Sequence, residues 1–263
     1  MKKFLLTVLA LSVVFGVGSC SKKSNGVSLI IGASSTPHAV ILNHVKDDMR
    51  AKGYNLQVKE MNDYVTPNSA LVSGDIDANF FQHIPYLNSN EKWTDKLVSA
   101  FDVHIEPMGI YSKKFKSIED IPNGAAITIP NDPTNGGRAL LLFQTAGLIK
   151  LKDDAGLEAT ALDIVDNPKK LIITSIEAAQ IPRTLDDVDA AAINGNYALQ
   201  ANMSPQEALF LEGGESPYVN IIVVQIGKEN DPSILALKEV LLSDKVRNFI
   251  KTTWADNSVL PVF

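Results

Sequence analysis

Apolar and polar positions in this chain fall into short alternating runs separated by stretches with helical spacing, in the order strand, helix, strand, helix, strand. Residues 27–33 are a strand-like apolar run, and Ser34, Ser35 and Thr36 form a loop. Pro37 suits the first position of a helix with Thr36 as its N-cap, since the proline ring presets helical φ. Val40, Ile41, His44, Val45 and Asp48/Met49 recur at helical spacing, and Gly53 supplies the stop. Leu56 and Val58 alternate with polar neighbours in a second strand at 55–60, and 62–73 reads as a turn and a short helix containing Pro67. Asp75-Ile76-Asp77-Ala78 alternates as a third strand, expected to end by presenting Asn79, Phe80, Phe81, Gln82 and His83 together. Strands joined through helices imply a parallel sheet, and ligands bind beyond the carboxyl ends of such strands.

The second half starts over with the same parts. Residues 125–129 read as a strand, 130–137 as a loop rich in Pro, Asn and Gly, and 138–148 as an apolar helix opened by Arg138. A strand at 171–176, a helical segment at 177–185 and a strand at 188–193 follow, and Asp187-Val188-Asp189-Ala190 echoes Asp75-Ile76-Asp77-Ala78. The repeated order predicts two α/β lobes of similar build, each a mostly parallel sheet flanked by helices. Residues 105–111 and 216–226 are extended, each carries a proline, and they bracket the second half as two hinge strands. Helices at 232–242 and 244–254 are expected to pack back on the first lobe. The division is 27–106 with 220–263 for lobe 1, and 107–219 for lobe 2.

With 263 residues, 45% of them apolar, the chain can bury a core in each lobe. Met1-Lys2-Lys3 and the apolar run 4–18 read as a secretory signal over 1–19, too short to span a membrane. Val17-Gly18-Ser19-Cys20 resembles a bacterial lipobox, with Val17 where Leu is usual, and Cys20 is the only cysteine. Cleavage there leaves a lipid-bearing N-terminal Cys20 on a polar tether over 20–26, and several acyl chains anchor far better than one. Removing Lys2 and Lys3 leaves 22 basic against 30 acidic residues, a net charge of −8, which disfavours nucleic acid or an anionic surface as partner.

Enzymatic templates are missing from the sequence. The histidines stand at 38, 44, 83 and 104, with no pair at the three- or four-residue spacing that puts two metal ligands on one helical face. Neither a Gly-x-Ser-x-Gly elbow nor a phosphate-binding Gly-x-x-x-x-Gly-Lys-Ser/Thr loop occurs, and carboxylate pairs such as Asp186/Asp187 read as solvated. Neither a catalytic residue nor a metal or cofactor is expected. A recognition site has its parts, however. The Arg138 fork, with the free amides of a helix start, can grip one carboxylate. Phe80, Phe81 and Tyr64 can line a flat apolar slot, His83 adds an imidazole, and Asn194 and Asn220 offer oxygens to an ammonium and amide hydrogens to a carboxylate.

A family resemblance joins these residues. Gly32-Ala33-Ser34, Thr36-Pro37-His38-Ala39, Tyr64-Val65 with Pro67-Asn68, residues 76–83, Pro85-Tyr86-Leu87, Glu106-Pro107-Met108-Gly109, residues 129–135, Gly137-Arg138-Ala139-Leu140, Glu177-Ala178-Ala179-Gln180 with Pro182-Arg183, and residues 186–197 and 216–222 are in order and span nearly all of the mature chain. In these blocks the chain resembles the methionine-binding lipoproteins (NlpA and MetQ type) of bacterial importers. The resemblance implies a periplasmic-binding-protein fold that closes over its ligand and hands it to an importer permease and ATPase complex, with no catalytic step. It also implies that Tyr64, Phe80, Phe81 and His83 contact the ligand side chain or pocket wall, that Arg138 holds the carboxylate, and that Asn194 and Asn220 hold the polar backbone. Gly136 departs from the pattern, which often has Glu there. The ligand implied is L-methionine or a close derivative. D-methionine, methionine-containing peptides, another small amino acid, and a surface lipoprotein with an interaction role remain alternatives, as does an enzyme built on the same lobes. The implied location is the cell envelope, through the lipid on Cys20.

Overall fold

The computed structural model describes residues 26–213 and 216–263; the signal, Cys20 and most of the tether lie outside them. β1 (Val27–Ala33) leads through a turn into two short helices, α1 (Val40–His44) and α2 (Lys46–Ala51), and Gly53 ends them at φ +88°. β2 (Tyr54–Glu60), α3 (Thr66–Ser73) and β3 (Ala78–His83) follow, then α4 (Ile84–Asn88), α5 (Glu91–Thr94) and the long β4 (Leu97–Ile105). In the second half β5 (Gly109–Tyr111), β6 (Ala126–Pro130) and α6 (Pro133–Thr145) precede a ribbon of β7 (Lys150–Leu151) and β8 (Ile164–Asp166). β9 (Ile172–Ile176), α7 (Ile181–Thr184), β10 (Ala190–Ile193), α8 (Gly195–Gln200) and β11 (Phe210–Leu211) complete it. The chain then returns through β12 (Asn220–Gln225), α9 (Pro232–Leu241), α10 (Asp244–Thr253) and β13 (Leu260–Pro261).

Two sheets result, ordered β13-β4-β12-β3-β1-β2 and β11-β5-β10-β6-β9. Each has a parallel heart of three strands, β3-β1-β2 and β10-β6-β9. The remaining pairings of each sheet are antiparallel, so the expected mostly parallel sheets are mixed, because β12, which re-enters the first lobe, and β5, which enters the second, run against the hearts. The first sheet is covered on one face by α1, α2, α9 and α10 around Ile31, Leu42, Met49 and Leu237, and on the other by Leu71, Ile76, Phe81 and Tyr86. β12 runs through its middle, which is why Ile221, Ile222, Val223 and Val224 are an unbroken apolar run. The expected second hinge strand is therefore half core. The chain passes from the first sheet to the second after β4 and returns before β12.

The third strand begins later than its alternation implies. Asp75 to Asp77 form a bend, and the strand is the segment 78–83 itself, buried throughout. The Asp echo has a structural explanation instead. Asp77 gives its N–H to Ile30 O (2.8 Å) and accepts Ile30 N–H on Oδ2 (2.7 Å), and Asp189 does the same with Ala126, at 2.9 and 2.8 Å. In each lobe this aspartate clamps the start of one strand to its parallel neighbour.

The helix carrying Arg138 begins five residues earlier than expected. Asp132 caps it by accepting the Asn135 N–H (2.9 Å), and Pro133 takes the first position. Gly136 and Gly137 are helical, placed there by packing: a Cβ on Gly137 would lie 2.2 Å from Leu157 O, and one on Gly136 3.0 Å from Pro130 O. Arg138 thus sits in the second turn, away from the helix start, whose amides go to Asp132.

Candidate ligand-binding site

A cavity with about 330 Å³ of empty space, its mouth included, lies between the sheets at the carboxyl ends of their parallel strands. The first lobe contributes Tyr64, Phe81, Gln82, His83 and Tyr86, and the second Asn135, Arg138, Asn194, Gly195 and Asn196. Glu106, just after β4, and Asn220, the first residue of β12, complete the wall. Six of the seven residues expected at a site, Tyr64, Phe81, His83, Arg138, Asn194 and Asn220, thus share one cavity.

Phe80 is the exception. Between β3 and β12 the register steps from Gln82↔Ile221 to Phe80↔Ile222, so Phe81 is an extra residue on its strand. Neighbouring strand residues point to opposite faces, and the Phe81 ring lies towards Tyr64 (centroids 5.9 Å apart) and Tyr86 (6.0 Å). Phe80 instead lies fully buried in the opposite face of the sheet, edge-on to His38 at 4.5 Å. Gln82 is fixed behind the wall, donating to Asn68 Oδ1 (2.6 Å) and Asn79 Oδ1 (2.9 Å).

The lobes touch across the cavity. Tyr64 Oη donates to Asn196 Oδ1 (2.6 Å), and Tyr197 Oη donates to Asn62 O (3.3 Å). His83 Nδ1 accepts the Tyr86 N–H (3.1 Å), so its proton sits on Nε2 and reaches Asn135 Oδ1 at 3.3 Å. Burial, then the Arg138 charge, lowers the His83 pKa to about 3, leaving a neutral imidazole. Asn135 Oδ1 also accepts from Asn194 Nδ2 (2.7 Å). Two buried amide atoms on the wall, Asn194 Oδ1 and Asn196 Nδ2, have no partner among the described residues. An unmade hydrogen bond on a buried group costs about 1–3 kcal/mol, so an acceptor and a donor are left for a ligand.

Arg138 is already engaged. Its Nε donates to Glu212 Oε1 (2.9 Å), and its Nη2 to Glu212 Oε2 and to Glu106 O (3.0 Å). The Tyr218 ring covers it at 4.3 Å, and Glu212 Oε2 also accepts the Met108 N–H at 3.2 Å. Nη1 is the guanidinium nitrogen that no hydrogen bond to a described residue occupies. Nothing in the sequence pattern marks Glu212. Glu106 and Asn135 escaped the site reading too, although both stand in blocks that carry the family resemblance.

Below Glu106 lies a buried cluster that sequence spacing could not show. His104 Nε2 lies 2.7 Å and His38 Nε2 3.2 Å from Glu106 Oε1, while His38 Nε2 is also 3.0 Å from Asn220 Oδ1. Ser34 Oγ stands 2.5 Å from His38 Nδ1. Among the described residues, this is the group whose donor atoms, all within 4.8 Å, could ligate a metal. Here His104 is hydrogen-bonded to Glu106, and His38 to Asn220 and Ser34. Burial lowers His38 to about 4 and His104 to about 3, and raises Glu106 to about 7 against the pull of His38 and Arg138.

Two lobes closed over a cavity that offers an arginine, open amide groups and an aromatic wall define a binding protein for a small polar molecule with an apolar tail. The chain belongs to the NlpA lipoprotein family, whose profile matches residues 29–263. It is 41% identical to the methionine-binding lipoprotein MetQ of Bacillus subtilis over 274 residues, 100% of this chain and 99% of the relative. A nutrient-binding protein from Burkholderia cenocepacia, solved bound to methionine, matches with a TM-score of 0.86 at 47% identity, covering 89% of this chain and 100% of that one. A periplasmic substrate-binding protein of an ABC transporter from Coxiella burnetii matches at 0.84 and 40% identity, with coverage of 89% and 100%. No described helix is long and apolar enough to cross a membrane.

Proposed function

We propose that this chain captures methionine, or a close derivative, between its lobes and delivers it to an ATP-driven importer without a chemical step. The observation that carries this is the cavity at the lobe junction, where Arg138 and Phe81 face unpartnered Asn194 Oδ1 and Asn196 Nδ2. Arg138 Nη1 and Asn196 Nδ2 hold the carboxylate, Asn194 Oδ1 accepts from the ammonium, and the thioether lies against Phe81, Tyr64 and His83. Asn220 stands on the same wall, its Oδ1 held by His38. Residues 27–106 with 220–263 move as one body and 107–219 as the other, bending at the two crossings. The relatives that bind methionine or serve an ABC transporter support this reading. Cys20 carries the lipid that keeps the protein at the membrane. Sulfur against a ring edge adds only about 0.3–1.5 kcal/mol, so shape and the polar end do most of the selecting. The test is thermal shift of ligand-stripped protein against L- and D-methionine, methionine dipeptides and the other amino acids. A methionine compound should raise Tm most; a panel without any shift would overturn the proposal.

A further inference from the structure

Among the described residues, Glu106 is the only acidic side chain on the cavity wall and Arg138 the only permanently basic one. Their charges are not met alike. Arg138 is paired with Glu212 through two of its nitrogens, so Glu106 has no cation to itself. His38 Nε2 faces two oxygens, so it carries the ring proton, and Nδ1 accepts from the Ser34 hydroxyl. His104 Nδ1 has no partner among the described residues, which places that ring's proton on Nε2, towards Glu106. His104 donates to Oε1, and His38 Nε2, bonded to Asn220 Oδ1, lies 3.2 Å from the same oxygen, so Oε2 is left without a side-chain donor among the described residues.

We propose that Glu106 receives the amino end of the ligand, so that the site selects molecules with a free ammonium group and gives up a proton when one binds. This rests on the reading of the cavity as an amino-acid site and extends it to a residue that reading does not use. The groups facing Glu106 are His38 after β1, His104 on β4, Arg138 on α6, the Asn196 backbone amide on α8 and Asn220 on β12; Phe80 on β3 packs its ring against both imidazoles. With the imidazoles neutral and Arg138 paired, Glu106 holds a proton over part of the neutral range, its pKa being about 7. An arriving ammonium favours the carboxylate, so that proton leaves to solvent while the ammonium keeps its own. Ligand affinity accordingly falls by up to about tenfold per pH unit below that value.

The test is titration calorimetry of ligand-stripped protein with L-methionine and with 4-(methylthio)butanoate, the same molecule without its amino group, in phosphate and in Tris. Wild type should bind the desamino compound more weakly by roughly 30-fold or more. L-methionine should release about half a proton near pH 7 and almost none near pH 8.5. Glu106→Gln, which can still accept from His104, should remove the buffer dependence and bring the two ligands to within about threefold. Methionine binding without proton release near pH 7, or a Glu106→Gln variant that discriminates the two compounds as wild type does, overturns this inference and leaves the amino-acid reading standing, whereas equal binding of both compounds by wild type overturns both. Failure of wild type to bind L-methionine at all overturns both.

Discussion

Phe80 and Phe81 adjoin in sequence yet serve opposite faces of a sheet. Alternation along a strand puts them there, but which of the two faces borders the cavity depends on the second lobe, whose wall residues lie far along the chain. Phe81→Ala should weaken methionine binding with a modest change in Tm. Phe80→Ala should cost about 3–5 kcal/mol of stability, measured by urea unfolding, because it empties a fully buried position under the histidines. Arg138→Ala should weaken binding by about 2–5 kcal/mol and also lower Tm, since it strands the Glu212 carboxylate. Adding Glu212→Gln should recover Tm but not affinity, which separates the two roles of the arginine. Arg138 was expected at the site from the sequence and lines the cavity. Its partner was not, because Glu212 meets it across 74 positions of chain.

Among the elements, strand order and most boundaries could be read from periodicity, and β1 was expected over the residues it occupies. The start of α6 was obscured by its glycines. Asp132-Pro133 is an N-cap signal, but Gly136-Gly137 two residues further reads as a loop unless the approach of segment 157–159 is known. Gly137→Ala should therefore lower Tm sharply by calorimetry, while Asp132→Ala should cost about 1 kcal/mol through the lost cap. The Asp-x-Asp-Ala echo was visible from the start. Its meaning, a clamp between parallel strands, needed the pairing of Asp77 with Ile30 and of Asp189 with Ala126.

The molecule as a whole closes two α/β lobes around buried titratable groups, and its stability should follow them. His38, His83 and His104 have pKa values lowered to about 4, 3 and 3, so their contribution is complete above pH 6.5 and lost as pH falls towards those values. Glu106, raised to about 7, acts in the other direction: its contribution is present below about pH 4.5 and lost as pH rises through 7. Near pH 5.5 the unfolded chain then binds roughly two protons more than the folded one, and stability should fall on acidification by on the order of 2–3 kcal/mol per pH unit. Urea unfolding between pH 6.5 and 5 reads this directly. The two-lobed plan was evident from the repeated strand order, whereas the histidine–glutamate cluster was not, because it joins residues 66 positions apart in chain. Equilibrium dialysis of ligand-stripped protein against labelled methionine puts the site itself to the question. Wild type should take up one equivalent per chain, and Arg138→Ala and Phe81→Ala should take up far less at the same concentration. No uptake by wild type, or equal uptake by all three, would mean that the cavity between the lobes is not where this protein does its work.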